Sequence, residues 1–133
     1  MERRRVQTGA PWETKIGYCR ALQAGNHIYV TGTVALDANG DPHAPDDGYR
    51  QAQRCLETIE TALAEFDASR EHIVRTRMFV TDIERWPQFG QAHSEFFGEH
   101  RPASTMVEVR RLIGEHFLIE IEADAVVDAV TSP

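Results

Sequence analysis

Alternation of apolar and polar residues with period two marks four segments of the chain and predicts a β-strand in each. The segments with this pattern are 26–36, 72–82, 105–112 and 117–127, with shorter extended pieces expected within 3–8 and at 18–22. Gly32 interrupts the first segment, which indicates a β-bulge or a close approach of another backbone. Gly114 separates the last two segments, so we expect these to form a hairpin.

Two other segments repeat their apolar residues every three or four positions, which is the period of an amphipathic helix. The first covers 46–66, where Asp46 or Asp47 can cap the free amides. The second covers about 86–97, with Pro87 in its first turn. Its apolar face is predicted to consist of Trp86, Phe89, His93, Phe96 and Phe97.

The predicted elements follow the order strands, helix, strand, helix and two strands, within a single domain spanning 1–133. A mostly antiparallel sheet with both helices packed on one face accommodates this order, so the sequence predicts an α+β fold. The hydrophobic content of 41% and the length of 133 residues suit one compact core.

The side of the sheet that the helices leave uncovered is predicted to be rich in charge. Along the last strand, the residues on this side are Leu118, Glu120, Glu122, Asp124 and Val126. Along 72–82, we assign Val74, Thr76, Met78 and Val80 to one side and Arg75, Arg77, Phe79 and Thr81 to the other. The segment 105–112 adds Glu108 and Arg110 on one face. Such a surface has three interpretations: open solvent, cross-strand ion pairs each worth under ~1 kcal/mol, or contact with another subunit.

Charge and composition narrow the classes of partner. The net charge of −7 at pH 7 repels phosphate backbones, so nucleic acid is not expected as a partner. No apolar run approaches the ~20 residues that cross a bilayer, and no secretory signal is recognised, so no membrane association is expected. The two cysteines, Cys19 and Cys55, are too few for a disulfide framework, which suits a reducing cytoplasm. The six histidines show no ligand spacing, so no metal site is predicted.

Four stretches occur in an order and at spacings that resemble the Rid (YjgF, reactive intermediate deaminase) family. They are GNHIYVTGTVAL at 25–36, VRTRMFVTDIERW at 74–86, RPASTMVEVRRL at 101–112 and LIEIEADAVV at 118–127. The resemblance implies a chorismate-mutase-like fold and a homotrimer whose sheets form a barrel, with ligand clefts between neighbours. It also implies hydrolysis of reactive imines and enamines to 2-oxo acids and ammonia, with no cofactor or metal required.

The resemblance also assigns roles to individual residues. The family's catalytic carboxylate, which holds or activates the attacking water, matches Glu120. The matched ligand-binding positions are Tyr18, Thr31, Gly32, Ala103, Ser104, Thr105 and Met106, and an asparagine of the family's second helix falls at Gly90. The residues alone leave alternatives open. The small residues at 103–105 are either a simple turn or a place where amides and hydroxyls meet a ligand. Thr31 and Gly32 form either a plain bulge or a pair of backbone amides offered to a ligand oxygen.

The main departure from the family pattern is Ser104. Deaminase members carry an arginine at this position, where its guanidinium holds the substrate carboxylate through two charge-assisted bonds. A serine hydroxyl has neither the charge nor the second donor, a loss of ~2–4 kcal/mol in binding a carboxylate. The chain therefore resembles a branch without this arginine. Arg77 and Arg101 are candidates to replace it, although an ion pair with the strand carboxylates is the favoured role of each.

Three functions stay open at this point. The first is a hydrolase acting on an imine, an enamine or a related small metabolite, with Glu120 positioning water. The second is a non-catalytic trimer that binds a small metabolite or a partner protein. The third is a ribonuclease or translation inhibitor, which the acidic balance disfavours.

Overall fold

Six strands form one sheet, and two helices pack against it, in a computed structural model that describes residues 2–128. The strands are β1 (Arg3–Val6), β2 (Ala21–Ala24), β3 (His27–Val34), β4 (Ile73–Val80), β5 (Ala103–Glu108) and β6 (Ile119–Val126), and the helices are α1 (Gly48–Ala64) and α2 (Trp86–Phe97). The order across the sheet is β1-β2-β3-β6-β4-β5, and every neighbouring pair is antiparallel except β4 and β5. The predicted α+β class is confirmed.

The core lies between the helices and one face of the sheet. On β6 the residues that face the helices are fully buried: Ile119, Ile121, Ala123 and Ala125. From α1, Cys55, Leu56 and Ile59 pack onto them with no exposed surface. Removal of this apolar surface from water supplies the main driving force for placing both helices on one side. The opposite face of the sheet is left for other contacts, as the alternation along β6 predicts.

The expected hairpin between the last two strands is wrong. β5 pairs in parallel with β4, and β6 lies between β3 and β4 instead. A parallel pair needs a crossover, which α2 supplies by leading from β4 to β5. Gly114, with φ of 113°, turns the backbone in the connection that carries the chain from the sheet edge back to its centre. Its positive φ signals a turn, and nothing local shows which strands that turn joins.

Two side-chain assignments also need correction. Val74 is 47% exposed, because a bulge between Ile73 and Arg75 shifts the register and gives Ile73 the buried position. Trp86 is 59% exposed at the start of α2, so it lies outside the apolar face on which the sequence placed it. At the strand ends, β2 begins only at residue 21 and β5 ends at residue 108, four residues earlier than predicted.

Gly48 is required where the first turn of α1 meets α2. A Cβ at this position would lie 2.9 Å from Cε1 of Phe89 and against the side chain of Gln88. The Gly48 N–H donates to Oε1 of Gln88 at 3.1 Å. We therefore expect Gly48→Ala to lower the free energy of unfolding by about 1–3 kcal/mol in urea titrations.

Gly90→Ala is the matched control for this overpacking. Gly90 lies inside α2, and an added Cβ would make only ordinary contact, 3.8 Å from the Trp86 ring. Alanine at this helical position is expected to raise the free energy of unfolding by about 0.5–1 kcal/mol. An equal effect of the two substitutions would contradict close packing at Gly48.

Candidate functional site

The first candidate group of residues lies around a β-bulge in β3. The register of β3 against β6 shifts between Val30 and Thr33, which leaves Thr31 and Gly32 within the irregularity. The Thr33 hydroxyl donates to the Thr31 carbonyl at 2.8 Å and fixes the shape of the bulge. Because Gly32 has no side chain, the carboxyl group of Glu120 lies against it, and a Cβ would come within 3.0 Å of Glu120 Cδ. The bulge predicted at Gly32 is confirmed.

The prediction that the Thr31 amide is offered to a ligand oxygen is wrong. The Thr31 N–H donates to the carbonyl of Arg20 at 3.1 Å, so this amide is not available to a ligand. The bond extends the antiparallel pairing of β2 and β3 to Arg20, one residue before β2 begins. The Thr31 N–H is therefore used within the sheet. Thr31 nevertheless lines the cavity described below.

Glu120 is the carboxylate whose protonation the site alters most clearly. It projects from β6 on the face opposite the helices and is half-buried. Burial raises the pKa of Glu120 above its ordinary value, the nearby charge of Arg20 lowers it, and Glu122 raises it. A carboxyl group with a raised pKa accepts a proton more readily, which suits a general base that works through a water molecule.

Arg20 is a residue of the site that sequence reasoning missed. Its Nη1 donates to the Gly32 carbonyl at 3.2 Å and to the Thr33 hydroxyl at 3.1 Å. Its guanidinium also lies 5.7 Å from the centre of the Tyr18 ring. The side chain is only 12% exposed, and the buried carboxylate of Glu13 lies 3.9 Å from its Nε. Arg20 therefore ties the bulge to the segment that precedes β2.

A signal for Arg20 was present in the sequence. Tyr18 and Arg20 are two residues apart, so an extended backbone places both side chains on the same side. This segment directly follows a one-turn helix at Glu13–Gly17. The helix is tied to the preceding chain by the Glu13 side chain, which accepts from the N–H of Thr8 at 3.0 Å and from the Thr8 hydroxyl. The predicted extended piece at 18–22 identified the periodicity but gave the arginine no role.

Removal of the Arg20 charge is expected to raise the pKa of Glu120 further. Arg20 favours the ionised carboxylate, so Arg20→Gln leaves burial as the dominant influence, while the glutamine amide can still donate to the Gly32 carbonyl. A carbon-detected NMR titration of the Glu120 carboxyl group measures the shift. Arg50→Gln, on the exposed surface of α1, is the control and should leave the titration unchanged. A Glu120 pKa that stays constant or falls in Arg20→Gln would contradict this electrostatic coupling.

A cavity of 790 Å³ lies on the uncovered face beside the bulge. The residues that line it include Arg5, Tyr18, Cys19, Tyr29, Thr31, Glu122 and Asp124. Two predicted ligand-binding residues, Tyr18 and Thr31, therefore line the same cavity. The cavity is bordered by groups of both signs, which favours a polar occupant over an apolar one.

The mixed-charge face is confirmed on β4 and β6. Arg77 Nη1 contacts Glu122 Oε1 at 3.2 Å and Asp124 Oδ2 at 3.3 Å. Arg77 thus has the ion-pair role that the sequence favoured. The assignment of Glu108 to this charged face needs correction. Glu108 stands in register with the buried Val80 and accepts from the Ile83 N–H at 3.1 Å, so it lies on the helix side of the sheet.

The second candidate group lies on the other side of the sheet. In the parallel pairing of β4 and β5, Thr76 stands beside Ser104 and Met78 beside Met106. Because Thr76 and Met78 are buried beneath the helices, Ser104 and Met106 face the helix side. Ala103 and Thr105 occupy the alternate positions and share the uncovered face with Arg77.

Most of the predicted site residues therefore form two groups within one chain, which also include Arg20, Thr76 and His93. The predicted residues Ala103, Thr105 and Arg77 lie outside both groups. The bulge group comprises Tyr18, Arg20, Thr31, Gly32 and Glu120. The edge group comprises Thr76, Gly90, His93, Ser104 and Met106, at the edge strand and the adjacent helix. A sheet separates the two groups, so one chain alone does not bring Glu120 and Ser104 together.

Residues 2–128 show neither a metal site nor a helix that could cross a membrane. No group of three or more histidine, cysteine, aspartate or glutamate side chains in this range has the arrangement of a metal site. Within the same range, neither helix has the length and apolar character needed to span a bilayer.

Comparison with known proteins identifies relatives along nearly the whole chain. The family model described as Endoribonuclease L-PSP matches residues 9–127. An uncharacterized protein of Streptomyces coelicolor is 36% identical over 97% of this chain and 96% of its own length. The 3-aminoacrylate deaminase RutC of Acinetobacter baylyi is 34% identical over 81% of this chain and 85% of that protein.

A solved structure agrees with these sequence relatives. The crystal structure of Rv2704 of Mycobacterium tuberculosis, described as a member of the YjgF/YER057c/UK114 family, superposes with a TM-score of 0.86. It is 40% identical and covers 95% of this chain and all of that one. Together with the matched family model, these likenesses show that the chain belongs to the Rid/YjgF family.

Proposed function

We propose that this protein hydrolyses a reactive imine or enamine at clefts between the subunits of a homotrimer. The observation that carries the proposal is Glu120, a half-buried carboxyl group with a raised pKa, packed against Gly32 on the uncovered face. Such a group accepts a proton from water near neutral pH more readily than an exposed carboxylate does. The deaminase named among the relatives supports this class of reaction.

The assembly is part of the proposal because the two groups lie on opposite sides of the sheet. A cleft that contains both requires the bulge group of one subunit beside the edge group of its neighbour. The uncovered face also exposes apolar area, since Tyr29 is 47% and Val107 is 43% exposed. Packing of three such faces together would bury this area, and the Arg77 ion pairs would set the register between subunits.

The proposed reaction balances with water alone. Glu120 takes a proton from the attacking water while the oxygen adds to the carbon of the C=N bond. The proton returns to nitrogen, and the second proton of the water then passes from the new hydroxyl group to nitrogen as the C–N bond breaks and the carbonyl forms. One imine and one water thus yield one carbonyl compound and one ammonia. An enamine reaches the same path after its carbon accepts a proton and its nitrogen loses one, which gives the imine.

Three other residues have supporting roles in this reaction: Tyr18 and Arg20 of the bulge group and Ser104 of the edge group. Tyr18 borders the cavity and can close over a bound ligand. Arg20 holds the Gly32 carbonyl and favours the charged form of Glu120, so a base is present at neutral pH. Ser104 supplies a neutral polar contact in place of the family's arginine, which favours substrates without a free carboxylate.

Ammonia release from freshly generated imines tests the proposal. The panel pairs imines that carry a carboxylate with matched imines that carry a carboxamide or an alkyl group. We expect the protein to accelerate release from uncharged members and to act weakly on the carboxylates. No acceleration across the whole panel would refute the hydrolase function.

Metabolite binding without catalysis is the second candidate. The uncharged Ser104 at the position of the substrate-gripping arginine favours it, because the reaction on 2-imino acids loses its anchor there. Ribonuclease activity has weaker support, since the net charge of −7 opposes RNA binding. Calorimetric binding of a carbonyl metabolite by a protein that fails the imine assay would favour the binding function.

A further inference from the structure

Three side chains form a continuous line of hydrogen bonds from helix α2 to the edge strand. The Thr76 hydroxyl lies 2.8 Å from Nε2 of His93 and 2.8 Å from the Ser104 hydroxyl oxygen. Thr76 is completely buried, His93 is half-buried, and Ser104 is exposed. The line therefore runs through the protein interior and ends at the surface at Ser104.

The single proton of each hydroxyl allows this line two opposite directions, one the reverse of the other. In the direction that the proposal below takes, Thr76 donates its proton to Ser104. The other bond of Thr76 must then be one that it accepts, so Nε2 of His93 carries a hydrogen and donates it. Ser104 accepts from Thr76, and its own proton is left to point outward. The line consequently presents the Ser104 proton as a donor, which a ligand acceptor can satisfy.

The surroundings of His93 keep its ring neutral. Burial lowers the pKa of His93 below its ordinary value, and the Phe97 ring packs at 4.6 Å between centroids. A neutral imidazole has one N–H, and the bond to Thr76 places it on Nε2. The donor offered by Ser104 is thus polarised by two preceding bonds and still carries no net charge.

We propose that the His93–Thr76–Ser104 line is a specificity device that binds the uncharged acceptor oxygen of a carbonyl or carboxamide ligand. Ser104 makes the contact, and Thr76 and His93 are positioning residues. A carboxylate would bring a full negative charge to a pocket edge with one neutral donor, whereas a carbonyl oxygen needs only that donor. The location of the ligand rests on the proposed function; the direction of the line does not.

Nitrogen-15 NMR of the histidine ring tests the direction without any ligand. We expect His93 to be neutral at pH 7 with its proton on Nε2, so that Nδ1 shows the chemical shift of an unprotonated nitrogen. A proton on Nδ1 would reverse the line and overturn the proposal. In Thr76→Val, which removes the hydroxyl at similar volume, the Nε2–H resonance should exchange with water faster than in the native protein.

Binding of two stable carbonyl compounds tests the specificity. Pyruvamide and pyruvate differ only in the amide and the carboxylate, and neither needs to react. We expect the native protein to bind pyruvamide more tightly. Ser104→Ala and Thr76→Val should each weaken pyruvamide binding about five- to tenfold, as loss of one net hydrogen bond requires. Thr76→Ser, which keeps the hydroxyl, should bind like the native protein.

The controls separate this proposal from the hydrolase function. Urea titrations of each variant show whether a loss of binding reflects a loss of fold. Equal or tighter binding of pyruvate, no effect of Thr76→Val, or no binding of pyruvamide at Ser104 would each overturn the specificity device. Because both probes are stable, a failed imine assay with the expected binding pattern would refute hydrolysis alone.

Discussion

Gly32→Ala is expected to reduce imine hydrolysis about 100-fold or more while leaving the fold intact. The added methyl group would occupy the space of the Glu120 carboxyl group, whose Cδ lies 3.0 Å from the position of the new Cβ. Only the flexible end of the Glu120 side chain has to move. The substitution should therefore lower the activity that depends on Glu120 and leave the stability of the core unchanged. Steady-state kinetics and urea titration of the same variant measure the two effects.

A shorter carboxylate provides the matched control. Glu120→Asp withdraws the carboxyl group from Gly32, so it should lower the activity of the native protein but raise that of Gly32→Ala. Glu120→Gln should lose as much activity as Gly32→Ala, and the two substitutions combined should cost little more than either alone. Independent, additive losses would show that the methyl group acts elsewhere.

Arg77→Glu is expected to break the proposed trimer into single chains. In one chain, the Arg77 pairs with Glu122 and Asp124 are partly exposed and contribute roughly 0–1 kcal/mol each. Between subunits the same groups would be desolvated, and a third negative charge beside two carboxylates would cost several kcal/mol. Light scattering should show the mass fall from three times the chain mass to the 15.0 kDa of one chain.

Arg50→Glu is the control for this charge reversal. Arg50 is exposed on α1, away from the sheet face, and pairs with Asp47 at 3.7 Å. This variant has the same change in net charge and should keep the native mass. An Arg77→Glu protein that keeps the native mass would show that the uncovered face is not the subunit contact.

Local periodicity predicted the elements and the two faces of the sheet well. The α1 and α2 segments, the Asp47 cap and the buried side of β6 follow from side-chain spacing, which is a local property. The strand order does not follow from it. An alternating strand looks the same beside a parallel or an antiparallel neighbour, so only the packing of α2 shows that β5 joins β4.

The candidate site was predicted in part, for a related reason. The resemblance to known sequences identified Glu120, Thr31 and Gly32, which the bulge brings together. Arg20 and His93 were not identified, because each acts through a partner distant in sequence. His93 is 17 residues from Thr76, and no motif spans that separation. The sides on which Glu120 and Ser104 lie also required the sheet order, because that order sets the orientation of β5.

Paramagnetic relaxation between copies tests whether the bulge group of one chain meets the edge group of another. Arg101 is exposed in the loop before β5 and can carry a spin label as a cysteine variant, with Cys19→Ser removing the half-buried thiol. Spin-labelled chains are mixed with nitrogen-15 chains that carry no label, so all broadening is intermolecular. We expect broadened amide signals at Thr31 and Gly32. Unbroadened signals there, in a sample of confirmed mixed assembly, would contradict it.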